Sequence, residues 1–493
     1  MAPAVKNIFV LMLENRSFDH MLGFSALTGT DAQTGEPTAV RGLSGSEDNN
    51  YGGQAFRVNQ QVSDPMPVDP GHEFLDVLEQ LCGGEALYAS GGTYPPITNA
   101  GFVSDYAQSP KDEGDASGEF GQIMAGFGPG QLPVLQALAG SFAVCDGWHA
   151  SMPGPTWPNR LFALAASSDG LDHSPTADEI IAWETIDGVS LVNGSIFDAL
   201  KGKSAAGWRI YAGDDFPMAA ALKGVEVLEI RAFSEFVADV ARPDYPVLFT
   251  WIEPNYGDVL GNTFQGGTSQ HPRDTVGGGE GLIKATYEAI RQSPLWESSL
   301  LIVTWDEHGG FFDHVSPPAA AAPGDTTPGS KYNQYGFTFE QLGVRVPAIV
   351  VSAFIPPNLI DHRSYDHSCI PATIQAAFDL PPLTQRDRAA RSLLPLCSLE
   401  RARTDAPNAL PSASAPAARA VAQQPPSPQA SVDSGSLPVF LQIAMRHDLA
   451  LSPPGSRPAI LARVKAIRTR AQAAQYMAQV SAKLRAARAA GAR

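Results

Sequence analysis

Four short apolar runs, rich in β-branched residues and each stopping abruptly at polar ones, constrain this chain more than any other feature; they span residues 6–13, 246–252, 299–305 and 346–354. Runs of this length and composition read as strands buried on both faces. Helical periodicity lies between them, over residues 133–139, 159–166 and 279–293, and in the last of these Leu282, Ile283, Thr286, Ala289 and Ile290 share one face. Strands alternating with helices predict an α/β fold, a mostly parallel central sheet with helices on both faces. Ligands of such sheets bind beyond the carboxyl ends of the strands, which directs attention to the residues after each run.

Charge sets further bounds. The 493 residues carry 34 Lys and Arg against 51 Asp and Glu, a formal −17, which argues against a nucleic-acid partner held by phosphate neutralisation. The imbalance is uneven: residues 436–493 hold ten basic residues and one Asp, a net of +9, against −26 for residues 1–435. Between the two parts, 20 of the 30 residues 406–435 are Ala, Pro or Ser, the composition of a linker or a strap draped on the surface. Beyond it Ile460, Val464, Ile467, Ala471, Ala474, Met477, Val480 and Leu484 recur at helical spacing opposite Arg and Lys. That amphipathic helix can dock on the acidic body or lie on an anionic membrane, and docking is the favoured reading because one short basic helix holds a membrane weakly.

The apolar stretch at residues 8–13 runs into Glu14 and is too short for a signal-peptide core or a membrane span, so a cytoplasmic location is expected, with export by another route left open. Cys82, Cys145, Cys369 and Cys397 lie far apart without metal-site spacing and read as reduced, structural thiols.

The chemistry sits at the run ends. The first run ends in Glu14-Asn15-Arg16-Ser17-Phe18-Asp19-His20 and the third in Asp306-Glu307-His308-Gly309-Gly310-Phe311-Phe312-Asp313-His314. Adjacent carboxylates repel one another, and hard oxygen donors from Glu, Asn and Asp suit a divalent cation that would relieve the repulsion. A third segment, Met152-Pro153-Gly154-Pro155-Thr156-Trp157-Pro158-Asn159-Arg160, places Thr156 at a helix start, where unpaired N–H groups favour an anion such as phosphate. The plainer alternative there is a Thr N-cap with Pro158 in the first turn. Of ten histidines, His271, His314 and His72 stand in informative surroundings; His20, His149, His308, His362 and His367 are weaker candidates, and His173 and His447 have no motif around them.

Together ENRSFDH, MPGPTWPNR and TWDEHGGFFDH resemble the motifs of the bacterial and plant phosphoesterase family, which includes non-specific phospholipases C and a respiratory-burst-inhibiting acid phosphatase, and the similarity runs through about residues 5–395. The resemblance implies an alkaline-phosphatase-like α/β fold with one catalytic domain over residues 1–400, followed by a linker at 401–435 and a basic helical segment at 436–493 that departs from the family's patterns. Carried over by motif, Glu14, Asn15, Asp306 and Glu307 would ligate one divalent metal ion of unknown identity, Thr156 would be nucleophile and metal neighbour, and His271, His314 and His72 would surround the phosphoryl group.

The implied mechanism is attack of the Thr156 hydroxyl on phosphorus, with a His protonating the leaving alcohol, then hydrolysis of a phosphothreonine. The expected partner is a phosphate-ester substrate, with phospholipid among the candidates, and peripheral membrane contact is the alternative fate of the tail. The function implied is that of a metal-dependent, phospholipase C-like phosphoesterase, with an acid phosphatase of broad specificity as the nearest alternative. A catalytically silent phospholipid- or phosphate-binding protein is the alternative of another class, against which the intact Thr156, Asp306 and Glu307 count. A serine hydrolase is disfavoured because no Gly-x-Ser-x-Gly elbow occurs.

Overall fold

In the computed structural model, which describes residues 5–490 apart from 110–118, 176–187, 202, 204–205, 327–328, 330, 415–426 and 433–436, the first run becomes the strand Asn7–Leu13. Successive side chains of a strand point to opposite faces, and all seven are buried here, so the sheet is covered on both sides. Ten strands form this sheet among the described residues, in the order Pro37–Ala39, Thr28–Asp31, Leu359–Asp361, Ala143–Cys145, Ala348–Val351, Ser299–Trp305, Asn7–Leu13, Phe249–Glu253, Trp208–Ala212, Ile230–Ala232. Ile8 faces Phe249 on one side and Leu300 on the other, both in parallel register. The fold class expected from the alternating pattern is the one found. Helices Pro133–Ser141 and Gly277–Arg291 pack on each other, tied by Glu280, whose carboxylate accepts the N–H groups of Val134 and Leu135 at 2.9 and 2.8 Å.

Two departures matter for the site. The run at 246–252 forms its strand late, as Phe249–Glu253, and extends one residue further than the apolar pattern, which brings Glu253 into the interior. There Glu253 accepts hydrogen bonds from the backbone N–H groups of Met218 and Ala219, from Trp251 Nε1 and from the Tyr256 hydroxyl. The run at 346–354 contracts to Ala348–Val351 and lies antiparallel to both its neighbours. Its start, not its end, therefore lies at the carboxyl ends of the parallel strands, and this delivers Arg345 to the site end of the sheet.

The C-terminal segment departs from the single helix expected of it. Helix Leu437–Ala450 is largely buried, with Phe440 edge-on to Tyr256, and it is followed by helices Arg457–Lys465 and Arg470–Ala489. Thr469 breaks the expected helix because its side chain caps the next one, accepting from Gln472 N. The break rotates the register: Ile460, Ile467, Met477, Val480 and Leu484 are buried as the spacing predicts, but Ala471 is exposed and Tyr476 takes up the buried stripe. The segment lies against the body, with Arg470 donating to Leu260 O and Arg485 and Arg488 paired with Asp215. The near part of the Ala/Pro/Ser-rich stretch is strapped to helix Gly277–Arg291, where Arg291 donates to Ala406 O and Leu410 N to Glu288; residues 415–426 lie outside the described residues. All four cysteines are free thiols. Among the described residues no helix is long and apolar enough to cross a membrane.

Buried histidines give the fold an acid limit. Burial, with Arg345 nearby, pushes His149 down to about 3, and burial, with Arg446 and Arg488 nearby, does the same to His447. The folded value lies below the unfolded value near 6.5, so between the two the unfolded chain binds the extra proton and acidification favours it. Each residue should cost about 1.4 kcal/mol of stability per pH unit as pH falls from about 6.5 towards 3. Guanidinium unfolding at mildly alkaline and mildly acid pH should show His447→Gln losing about 1.4 kcal/mol less than wild type across that interval. Equal losses would mean that His447 takes up its proton alike in the folded and unfolded chains.

Candidate active site

At the end of strand Asn7–Leu13 the backbone turns through Asn15, which takes a left-handed φ of 55° and directs its N–H to Asp306 Oδ1 at 3.1 Å. The same oxygen accepts Glu307 N at 2.8 Å, so the ends of two adjacent strands are clamped on one carboxylate. Gly309 permits the approach, since a Cβ there would lie 2.1 Å from Asn15 O, and its own φ is +63°. Helix Thr156–Ala165 meets this clamp with its first residue: Thr156 Oγ1 donates to Asn15 Oδ1 at 3.4 Å. The capping residue is Pro155, which has no side-chain hydrogen bond, so Thr156 stands inside the helix and the plain N-cap alternative does not describe it. Asn159 fixes the preceding loop, its amide donating to Gly154 O and Pro155 O and its carbonyl accepting Met152 N.

One turn along the same helix face, Arg160 donates through Nε to Asp306 Oδ2 at 2.8 Å and through Nη2 to Leu13 O at 3.1 Å. The nucleophile candidate, the first strand end and the Asp306 end are thus joined by direct contacts. Glu14 is buried, and burial, partly offset by Arg160, raises its carboxyl to about 8; burial, partly offset by His72, raises Glu307 to about 8 as well. Glu14 Oε2 and Glu307 Oε1 are buried without a hydrogen-bond partner. Asp306 Oδ1 has both lone pairs taken and Oδ2 has one left. Buried, unpartnered hard oxygens beside an Asn carbonyl and a Thr hydroxyl are the donor set a divalent cation fits.

His72 and His271 stand next to this group. His72 Nδ1 donates to Pro70 O at 3.0 Å, and although burial works against its charge, Glu307, Asp69, Glu73 and Asp76 outweigh it and raise the imidazole to about 10. His271 is the opposite case: burial, then the charge of His72 and Arg16, hold it well below its ordinary value. It stacks on Phe264 with ring centroids 3.6 Å apart, and its Nε2 lies 3.7 Å from Asp69 Oδ2. Arg16 carries this loop to the first strand end by donating to Gln270 O and His271 O.

His314 is not joined to the group by any such contact. Its Nδ1 lies 2.6 Å from Asp19 Oδ2 in a separate cluster with Asp313, and Arg345 sits within that cluster, 2.9 Å from Asp19 Oδ1 and 2.8 Å from Asp313 Oδ1. The guanidinium already supplies the positive charge that these two carboxylates require. Of the weaker histidines, His367 contacts Asp306 O at 2.6 Å, His308 contacts Gln80 Oε1, and His20 stacks on Phe311. Sequence reading passed over Arg160, Arg16, Asp69 and Glu253. Only Arg160 carried a usable signal, its spacing of four from Thr156 on a helix.

The family's sequence model, that of the phosphoesterase family, matches residues 5–381. The chain belongs to the phosphoesterase family. It is a hydrolase of phosphoric ester bonds. Among its relatives, non-specific phospholipase C3 of Arabidopsis thaliana is 34% identical over 433 residues, covering 83% of this phosphoesterase and 76% of that protein. Phospholipase C B of Mycobacterium tuberculosis is 27% identical over 418 residues, covering 76% and 74% respectively. A solved structure of a protein in the alkaline phosphatase superfamily from Vibrio parahaemolyticus overlaps 54% of this phosphoesterase and 65% of that chain, at 12% identity and a TM-score of 0.33.

Proposed function

We propose that this phosphoesterase is a phospholipase C-type enzyme that cleaves phosphate diesters through a phosphothreonine at Thr156, with one divalent cation held by Glu14, Asn15, Thr156, Asp306 and Glu307. The observation that carries the reading is the junction of Thr156 Oγ1, Asn15 and Asp306 at two strand ends, flanked by two buried carboxylates that each keep an unpartnered oxygen. When bound, the cation supplies Lewis-acid charge that lowers the pKa of the Thr156 hydroxyl and offsets charge on the phosphoryl oxygens.

Thr156 Oγ1, its proton lost to solvent, bonds to phosphorus as the bond from phosphorus to the leaving alcohol breaks. The N–H groups of Thr156 and Trp157, left uncapped by Pro155, stabilise the charge on the non-bridging oxygens; Pro158 in the same turn has no N–H. His72 is kept charged by Glu307, then by Asp69, Glu73 and Asp76, and with Nδ1–H committed to Pro70 O it gives the leaving oxygen the proton on Nε2. The neutral imidazole then takes a proton from the water that attacks the phosphothreonine, and Thr156 regains its own from solvent. Asp69 lies 3.7 Å from His271 Nε2, and its charge favours the imidazolium of His72.

A diester is favoured over a monoester on charge. The cavity of about 270 Å³ beside His72 is lined by Asp69, Glu73, Asp76 and Glu79, which repel a dianion more strongly than a monoanion. Specificity constants for p-nitrophenyl phosphocholine should exceed those for p-nitrophenyl phosphate by about tenfold or more at neutral pH. If the monoester is preferred at every pH from acid to neutral, the acid-phosphatase alternative replaces this reading.

A further inference from the structure

The family match ends at residue 381, yet the strongest charge asymmetry in the chain lies beyond it. After Asp448 the sequence contains nine Lys and Arg and no Asp or Glu. Docking on the body uses this segment's apolar side, burying Ile460, Ile467, Tyr476, Met477, Val480 and Leu484. It also commits part of the charge: Arg470 to Leu260 O, Arg485 and Arg488 to Asp215, and Lys483 to Asp448. Arg457, Arg463, Lys465 and Arg468 remain exposed, and among the described residues no carboxylate lies within ion-pair distance of them; Arg463 stacks on the Tyr476 ring and Arg468 donates to Lys465 O and Ile467 O, contacts that leave their charge unneutralised.

These four cations sit on helix Arg457–Lys465 and the turn after it. At 1.5 Å per residue they fall within about 15–20 Å of one another, so at low salt an anionic surface feels their summed charge, although at about 100° per residue Arg463 and Lys465 leave the helix on opposite sides. We propose that they form an electrostatic contact face for an anionic lipid bilayer. The choice of a bilayer rests on the phospholipase C reading, because a lipid substrate is presented at such a surface. Charge complementarity also orients the approach: residues 1–435 carry −26 and are repelled by anionic headgroups, whereas residues 436–493 carry +9 and are attracted. Because the apolar stripe is consumed in docking, none remains to insert into acyl chains. The attachment is therefore electrostatic, reversible and sensitive to salt.

The test is cosedimentation of the full chain with vesicles of phosphatidylcholine alone or with about 30 mol % phosphatidylglycerol. Thr156→Ala is carried in the background so that the lipid is not consumed. Binding should require the anionic lipid and fall about tenfold or more when salt rises from about 50 to about 300 mM. Replacing Arg457, Arg463, Lys465 and Arg468 together with Gln should lower partitioning by about tenfold while leaving turnover of soluble p-nitrophenyl phosphocholine unchanged in an otherwise wild-type chain; the melting temperature falls slightly with the lost Arg463–Tyr476 and Arg468–backbone contacts. If that variant does not fold, the Arg457→Gln/Lys465→Gln pair carries the same test with a smaller loss. Equal binding to pure phosphatidylcholine, unchanged binding of the variants, or tighter salt-sensitive capture of a DNA duplex than of anionic vesicles at matched charge each overturns the proposal. Since binding is read apart from turnover, loss of soluble-substrate activity in the wild-type chain would sink the enzymatic reading and not the contact face.

Discussion

Thr156→Ala should abolish diester hydrolysis, lowering kcat by about 10⁴-fold or more, while the protein stays folded. The two halves of this expectation have separate origins. The loss in rate follows from deleting the proposed nucleophile, since among the described residues no other hydroxyl contacts Asn15 Oδ1, where Thr156 Oγ1 makes a 3.4 Å hydrogen bond. The small effect on folding follows from the position of Thr156 inside the helix, behind Pro155, where its side chain caps nothing. Removing one long hydrogen bond costs about 1 kcal/mol or less. Thr156→Ser keeps the oxygen and should retain a measurable fraction of the rate, because only the methyl group that restricts its rotamer is lost. Rapid acid quench during turnover should leave phosphate on the peptide containing Thr156 in wild type and none in the Ala variant. Near-normal kcat in purified Thr156→Ala, at unchanged melting temperature, would remove Thr156 from the reaction.

Much of this site was legible in the sequence because it is local. Glu14-Asn15 and Asp306-Glu307 follow apolar runs directly, and adjacent parallel strands bring their ends together without further information. Thr156 was readable for a similar reason, as the start of a helix behind Pro and Gly. What stayed hidden depends on long-range geometry. Arg345 precedes a strand whose antiparallel direction no periodicity records, so its capture of Asp19 and Asp313, and the resulting engagement of His314, could not be anticipated. Strands of three residues, such as Ala143–Cys145 and Leu359–Asp361, are too short to show a pattern and exist because the sheet supplies partners on both sides. The tail was read as one helix because Ile460 to Leu484 keep a helical period, and Thr469 ended it through a cap whose strength depends on Gln472 three residues on.

Glu14→Gln should uncouple folding from cation binding, and it is a cleaner probe than the more obvious Asp306→Asn. Asp306 accepts Asn15 N, Glu307 N and Arg160 Nε. An amide there would set N–H against N–H and strand a buried guanidinium, at a cost of about 3–5 kcal/mol that would be mistaken for loss of the metal. Glu14 Oε2, in contrast, has no donor to lose. With its carboxyl raised to about 8 by burial, Glu14 is largely protonated at neutral pH once the cation is removed, so a neutral amide of the same shape changes little and Glu14→Gln should melt at about the temperature of chelated wild type. Restoring the cation should stabilise wild type by about 2.7 kcal/mol at a hundredfold excess over Kd, visible as a rise of several degrees, and should stabilise Glu14→Gln by much less. Turnover should fall with the cation, by about 10³-fold in the variant and in chelated wild type alike. The deciding pair of measurements is metal content by elemental analysis and melting temperature with and without chelator. Full occupancy in a folded Glu14→Gln protein, or a wild-type rate indifferent to chelation after metal content has fallen to zero, would separate these carboxylates from cation binding and leave the burial of two unpartnered oxygens to be explained by another ligand.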